Sequence, residues 1–342
     1  MEKNVTATDT PAEADAIPGL RIRPYAGESD LADIARVRDA EWTADQVSER
    51  TNVADLRTWW GHASEQFDAS RDVDIVELDG RVVAVAQRDW IDATDGVRDY
   101  RGRCWVDPAV RRRGIGAVMV ARNEAVRRQL AAGHDTDRPK VLGMSMAETN
   151  LGARALAERF GYAPVRWFAD MERSLVDELP EVPPMPEGLE VRPASADQAR
   201  QVWEADSDAF RDHWGGWDPS EASFLRWIES SEFQPDRMIV AWDGDEIAGA
   251  VLNAVYPEEN AELGLQRGWL DSVFTRRAWR RRGLARALIV RSLHLLRDEG
   301  LTLAALGVDA DNPSGAFGLY ESAGFRPTDR FSAWRKPIEA GL

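Results

Sequence analysis

RRRGLARAL, at residues 280–288, decides how this chain is read. It follows an apolar run, WLDSVFT at 269–275, and opens a helical pattern that continues to Arg297. The order is strand, basic glycine-bearing loop, helix N-terminus. The first N–H groups of a helix have no intrahelical partner and point at whatever lies before them, so this order makes an anion cradle. Gly283 and Ala285 let a bulky anion approach the backbone, between Leu284 and Arg286. Arg280, Arg281 and Arg282 supply charge.

A second copy stands upstream. RRRGIGAV at 111–118 holds Arg111, Arg112, Arg113, Gly114 and Gly116 in the same order, after a β-like run at 104–106 and before a helical segment ending near Gly133. Arg280 lies 169 residues after Arg111, and LEVRP at 189–193 lies 169 residues after LRIRP at 20–24. The chain is a tandem duplication. The spacing predicts an acidic, partly disordered N-terminus over 1–19, a first domain over 20–175, a linker over 176–188 and a second domain over 189–338.

The reading along the chain is α/β. A strand at 20–24 precedes a helix at 30–41, with Leu31, Ile34, Ala35 and Val37 at helical spacing. A second helix is predicted over 51–69, its Trp59-Trp60 pair lining core or cleft. Runs at 73–78 and 81–90 flank Asp79-Gly80, a hairpin signal that returns as Asp243-Gly244 between 238–242 and 246–254. A buried strand at 141–147, a short helix at 150–159 and a closing strand at 167–175 complete the first plan. VDELPEVPPMPEG at 176–188 has four prolines, which exclude both helix and central strand.

With 342 residues, each half is long enough to bury its own core. No apolar run approaches the ~20 residues of a membrane span. The polar N-terminus and the single cysteine, Cys104, fit a cytoplasmic protein. A formal net charge of −16 argues against nucleic acid, whose binders need an electropositive face.

The pattern R-x-x-G-x-G/A after a strand, followed about thirty residues later by an Asn, a short helix and Gly-Phe, resembles the GNAT superfamily of acyl-CoA-dependent N-acyltransferases. In the second half the later motif is LGVDADNPSGAFGLYESAGF at 306–325. The resemblance implies two tandem GNAT domains, each a central mixed sheet whose parallel strands splay apart to admit the pantetheine arm of acetyl-CoA. It implies acetyl transfer to a primary amine of a small molecule or peptide, with no metal, and an arrangement similar to that of the mycothiol synthases. A non-catalytic CoA-binding protein is the alternative, and the acidic surface disfavours an aminoacyl-tRNA-dependent relative.

Site residues follow from the same resemblance. It places backbone N–H groups of Val273, Phe274 and Thr275 against the thioester and pantetheine, and Asn312 near the pantetheine or adenine end. At pH 7, presenting a lysine-like amine as its free base costs roughly 4.6 kcal/mol, so a carboxylate base is useful. Asp271, in the strand entering the cradle, is the candidate; Asp218 or a water chain is the substitute. Tyr320 matches the tyrosine set beside the cofactor sulfur, where full proton transfer to the thiolate is uphill by roughly 2 kcal/mol, leaving hydrogen bonding or a lowered pKa. In the first domain the corresponding positions are Ala157 and Gly102, so that domain is read as degenerate but able to hold CoA, with Glu158 or Tyr162 as replacements. The acceptor site is expected in FRDHWGGWDPSEASF at 210–224, from Asp212, His213, Trp214, Trp217 and Asp218.

Overall fold

A computed structural model describes residues 17–312 and 315–339. Of the terminus expected to be disordered over 1–19, residues 1–16 lie outside the described residues, while 17–19 are held in place, Ile17 packing on the core of the first half and the Gly19 carbonyl accepting the Asp79 N–H. In the first half, β1 (Leu20–Pro24), α1 (Glu28–Ala44), α2 (Val53–Gly61) and α3 (Ala69–Asp72) precede the hairpin β2 (Val73–Leu78) and β3 (Arg81–Asp92). Then come β4 (Arg98–Val106), α4 (Ile115–Gly133), β5 (Lys140–Ala147), α5 (Leu151–Arg159) and β6 (Ala163–Ser174). The second half runs β7 (Glu190–Arg192), α6 (Ala199–Ala209), α7 (Glu221–Glu229), β8 (Ile239–Asp243), β9 (Glu246–Val255) and α8 (Pro257–Leu263). It ends with β10 (Arg267–Thr275), α9 (Leu284–Asp298), β11 (Leu303–Asp309), α10 (Ala316–Ser322) and β12 (Arg326–Pro337).

The helix expected over 51–69 is instead two pieces. Asn52 caps α2 by accepting from the N–H groups of Ala54 and Asp55, and Asp68 caps α3 by accepting from Ser70. Each cap starts a helix: α2 stops at Gly61 and the chain turns helical again only after Asp68, where periodicity alone suggested continuity.

All twelve strands form one sheet, in the order β1-β2-β3-β4-β5-β12-β6-β11-β10-β9-β8-β7. The two halves exchange their closing strands. β12, from the second half, pairs with β5 from Phe331 opposite Ala147 to Pro337 opposite Val141. β6, from the first half, pairs with β11 from Leu303 opposite Ser174 to Asp309 opposite Phe168. Cores follow the exchange. Ala169 and Met171 of β6 are buried with Leu284, Leu288 and Leu306 of the second half. Trp334 of β12 is buried with Trp90, Tyr100, Leu142 and Tyr162 of the first. Paired ions lock both seams: Arg166 holds Asp309 at 2.8 and 2.7 Å, and Arg335 holds Asp99 at 2.8 Å.

Between β6 and β7 the chain forms neither helix nor strand, yet it is laid along α9. Arg291 donates to the Pro183 carbonyl at 3.0 Å and His294 to that of Pro180 at 2.9 Å, while Leu179 and Leu189 join the second core.

In each half the two parallel strands pair only at their start. β4 and β5 are in register from Arg98 to Arg101 against Lys140 to Gly143, and β10 and β11 from Arg267 to Trp269 against Leu303 to Ala305. Beyond these residues the strands diverge, leaving the slot expected between them.

The exchange predicts that the halves fold together. Trp334→Ala should cost about 3–5 kcal/mol through the cavity it leaves. Denaturation should show one transition reported equally by probes in both halves. Residues 189–342 expressed alone should lack a cooperative transition, because the strand beside β11 is missing.

Candidate active site

The two cradles share one backbone. A 3-10 turn, Pro108–Val110 or Arg277–Trp279, precedes each. Arg112 and Arg281 sit at φ 67° and 61°, and Gly114 and Gly283 at 88° and 83°. That left-handed turn aims the N–H groups at the start of α4 and α9 into the space before the helix. Glycine carries no penalty there; the arginine does, so two copies of the same strained residue mark a functional turn.

Their charges are handled differently. In the first cradle Arg111 forms two 2.7 Å bonds with Asp45, and Glu41 accepts the Val106 N–H at 2.6 Å. Burial pushes Glu41 up to about 7. In the second, Arg280 donates to the carbonyls of Thr275 and Ala209 at 2.9 and 3.0 Å, with Asp212 3.9 Å away. Arg282 reaches the Glu187 carbonyl, and Arg286 the Ser322 hydroxyl at 2.8 Å.

β10 carries a bulge that β4 lacks. Its pairing with β9 shifts between Leu270 and Ser272, whereas β3 and β4 stay in register from Ala84 opposite Val106 to Asp92 opposite Arg98. The extra residue is Asp271, and a bulge of this kind re-aims a side chain. Asp271 and Ser272 both face a cavity of about 1220 Å³ lying between the two halves. Asp271 is itself exposed at the cavity wall, yet desolvation by the protein around it pushes its carboxyl up to about 7, against the pull of the Tyr256 hydroxyl that donates to it. Glu232 is raised to about 8 by burial and by Asp271. Asp206 is raised to about 7, again by burial, while accepting from the Ser272 hydroxyl at 2.5 Å.

The first domain has no room for the same device. A Cβ on Gly102 would lie 2.7 Å from the Arg127 guanidinium carbon and 2.9 Å from the Asn123 side-chain oxygen. Arg127 is fully buried, donating to the carbonyls of Tyr100 and Gly143 and to the Tyr162 hydroxyl. Ala157 is buried in the core of that half. Of the proposed replacements, Tyr162 is engaged by Arg127 and Glu158 pairs with Arg154 at 3.2 Å; neither lines the cavity.

Tyr320 lies on α10 in the core beside β11, its ring 6.1 Å from Phe325, and burial pushes its hydroxyl up to about 12. It does not line the cavity, nor do Val273, Phe274, Thr275 or the second cradle; the first cradle does, through Arg111, Arg112, Gly114 and Gly116. The structure therefore brings Asp271 into one space with the first cradle. Asn312 stands three residues beyond the end of β11, in the turn where Asp309 accepts its N–H, rather than at the strand end.

The expected acceptor loop is only partly at this cavity. Trp217 lines it, stacked 6.2 Å from Phe210. Asp212 is ion-paired with Arg277, and His213 bonds the Trp214 carbonyl. Trp214 instead docks on the first half, donating to Asp95 at 3.1 Å and lying 4.5 Å from the Arg335 guanidinium carbon. Asp218 accepts the Ser220 N–H and stands 3.5 Å from Arg226. Sequence reasoning missed Asp206, Glu232 and Tyr256. Asp206 was legible in principle, as an acid within the buried stripe of Val202, Trp203 and Ala205 on α6.

The profile of the acetyltransferase (GNAT) family matches twice, over residues 34–162 and 199–325. The chain belongs to that family, and it is an acyltransferase of tandem-domain type. It is 30% identical over 337 residues to the mycothiol acetyltransferase of Geodermatophilus obscurus, covering 94% of this chain and 99% of that protein. It is also 30% identical to that of Rhodococcus jostii over 259 residues, or 73% of this chain and 78% of the relative. Among solved structures, a GCN5-related N-acetyltransferase from Sphaerobacter thermophilus superposes with a TM-score of 0.68 at 26% identity, covering 95% of this chain and 98% of that one. A tandem GNAT protein from the clavulanic acid biosynthesis pathway shares the fold, with a TM-score of 0.64 at 20% identity over 94% of this chain and 100% of that one. No helix among the described residues is long and apolar enough to cross a membrane.

Asp271 predicts a pH signature. Below about 7 its carboxyl holds a proton and cannot take one from an amine, so kcat/KM should rise through that pH in the wild type. In Asp271→Asn the loss should be largest near neutral pH and shrink toward the pKa of the amine. A constant ratio of the two rates at every pH would remove Asp271 from proton transfer.

Proposed function

We propose that this chain transfers the acetyl group of acetyl-CoA to a primary amine of a small molecule in the cytoplasm, with the chemistry in the second domain. The observation that carries this reading is the bulge at Asp271, which turns a carboxylate with a near-neutral pKa into the cavity. The cradle of Arg280, Arg281, Arg282 and Gly283 supplies the pyrophosphate site: its backbone amides face outward from the start of α9, and a substituent on Gly283 would meet no atom within 4 Å.

The acceptor nitrogen attacks the acetyl carbonyl and passes its proton to Asp271. The carbon–sulfur bond breaks, and the Tyr320 hydroxyl donates a hydrogen bond to the departing thiolate; a hydroxyl with a raised pKa favours that role over full proton transfer.

A second reading has its own observation. The cavity reaches the first cradle and not the second, so acetyl-CoA bound between β4 and β5 would meet an acceptor held by Asp271 from across the interface.

Thiol release from acetyl-CoA with a panel of amines tests the activity, and paired variants separate the two readings. Gly283→Val should abolish turnover while Gly114→Val leaves it largely intact; the opposite pattern would put the cofactor in the first domain. Tyr320→Phe should slow turnover by roughly one to three orders of magnitude with acetyl-CoA affinity little changed. Complete inactivity with every amine, CoA binding being retained, would favour a regulatory protein.

A further inference from the structure

The two halves line the cavity with opposite balances of charge. Among the described residues the second half lines it with Asp206, Glu232 and Asp271 against one arginine, Arg226, whereas the first lines it with six arginines, Arg38 and Arg103 among them, against four carboxylates. Arg38, on α1, lies between two indoles, its guanidinium carbon 5.0 Å from the Trp42 ring centroid and 4.8 Å from that of Trp105. It forms no hydrogen bond or ion pair with any described residue, and its Nε is buried without a partner. Glu49 and Asp39 act on it only at longer range. Neighbouring Arg103 and Arg101 share a single carboxylate, Asp89, which Arg101 holds at 2.5 Å and Arg103 only at 3.7 Å. Burial lowers the pKa of both Arg38 and Arg103, helped by Arg103 acting on Arg38 and Arg101 on Arg103.

Arg101 and Arg103 thus share Asp89, while Arg38, beside Arg103, has no described carboxylate within ion-pair distance at the cavity wall. An indole face offsets part of the cost of desolvating a cation, but it leaves the planar fork of N–H donors unused. That fork matches a carboxylate or phosphate, and an anion arriving there would relieve the repulsion among the arginines.

We infer that Arg38 and Arg103 form a subsite for an anionic group of the acceptor, so that the acceptor is an amine that also carries a carboxylate or phosphate. The amine faces the carboxylates of the second half and the anion faces the arginines of the first. This rests on the acetyl-transfer reading above, and it adds a requirement that neither the cradles nor Asp271 impose.

Matched amines test it: glucosamine 6-phosphate against glucosamine, and glycyl-aspartyl amide against glycyl-asparaginyl amide. Calorimetry on the full chain with CoA present measures their binding without requiring turnover. At least one anionic member should bind tenfold or more tightly than its neutral partner, and which pair shows the preference identifies phosphate or carboxylate. Arg38→Met, which keeps apolar packing against both indoles, should abolish the preference, and Arg38→Lys should restore part of it. Thermal melting checks that each variant is folded. Equal binding within both pairs, absence of binding by all four, or a preference unchanged in folded Arg38→Met would overturn the subsite. A preference lost in Arg38→Met while the wild type acetylates none of the amines would uphold the subsite and count against the acetyl-transfer reading.

Discussion

The exchange of β6 and β12 is the constraint on which the rest depends. Each strand is buried in the core of the other half, and Arg166–Asp309 and Arg335–Asp99 fix its register with charged hydrogen bonds that are costly to leave half-made. A continuous twelve-stranded sheet follows. So does the shared cavity, which α1 lines through Arg38 and Trp42 and α6 through Trp203 and Asp206. The linker, bonded along α9, reinforces the arrangement.

That enclosed space accounts for the electrostatics. Asp271 stands exposed at the cavity wall, yet desolvation by the surrounding protein and the nearby Glu259 hold it near 7 despite a donated hydrogen bond. Such a pKa suits the proton acceptor proposed for Asp271 under neutral conditions. The same desolvation acts on Arg38 in the opposite sense, favouring loss of its proton. One cavity therefore disfavours charge at both ends, and a ligand bearing both signs satisfies both.

Much of this was legible in the sequence, for identifiable reasons. The cradles were visible because glycine, arginine and helix start must occur in a fixed order, and the hairpins because Asp79-Gly80 and Asp243-Gly244 are turn chemistry. The exchange was invisible: alternating residues in 163–174 and 326–337 describe a strand without naming its neighbour. The bulge was equally hidden, since one extra residue in β10 leaves no compositional trace. The tryptophans of 210–224 were read as one acceptor wall, yet Trp214 joins the halves while Trp217 faces the cavity, a division set by the exchanged sheet. That the first domain has no carboxylate at the position of Asp271 was legible as Gly102, and the buried Arg127 that leaves no room for one only in three dimensions.

A crystal structure with acetyl-CoA and an amine acceptor bound together tests the central claim most directly. The account predicts the pyrophosphate at Gly283, the thioester between β10 and β11 within hydrogen-bond reach of the Tyr320 hydroxyl, and the acceptor nitrogen beside Asp271. Density for the thioester only between β4 and β5, with the pyrophosphate at Gly114, would contradict it.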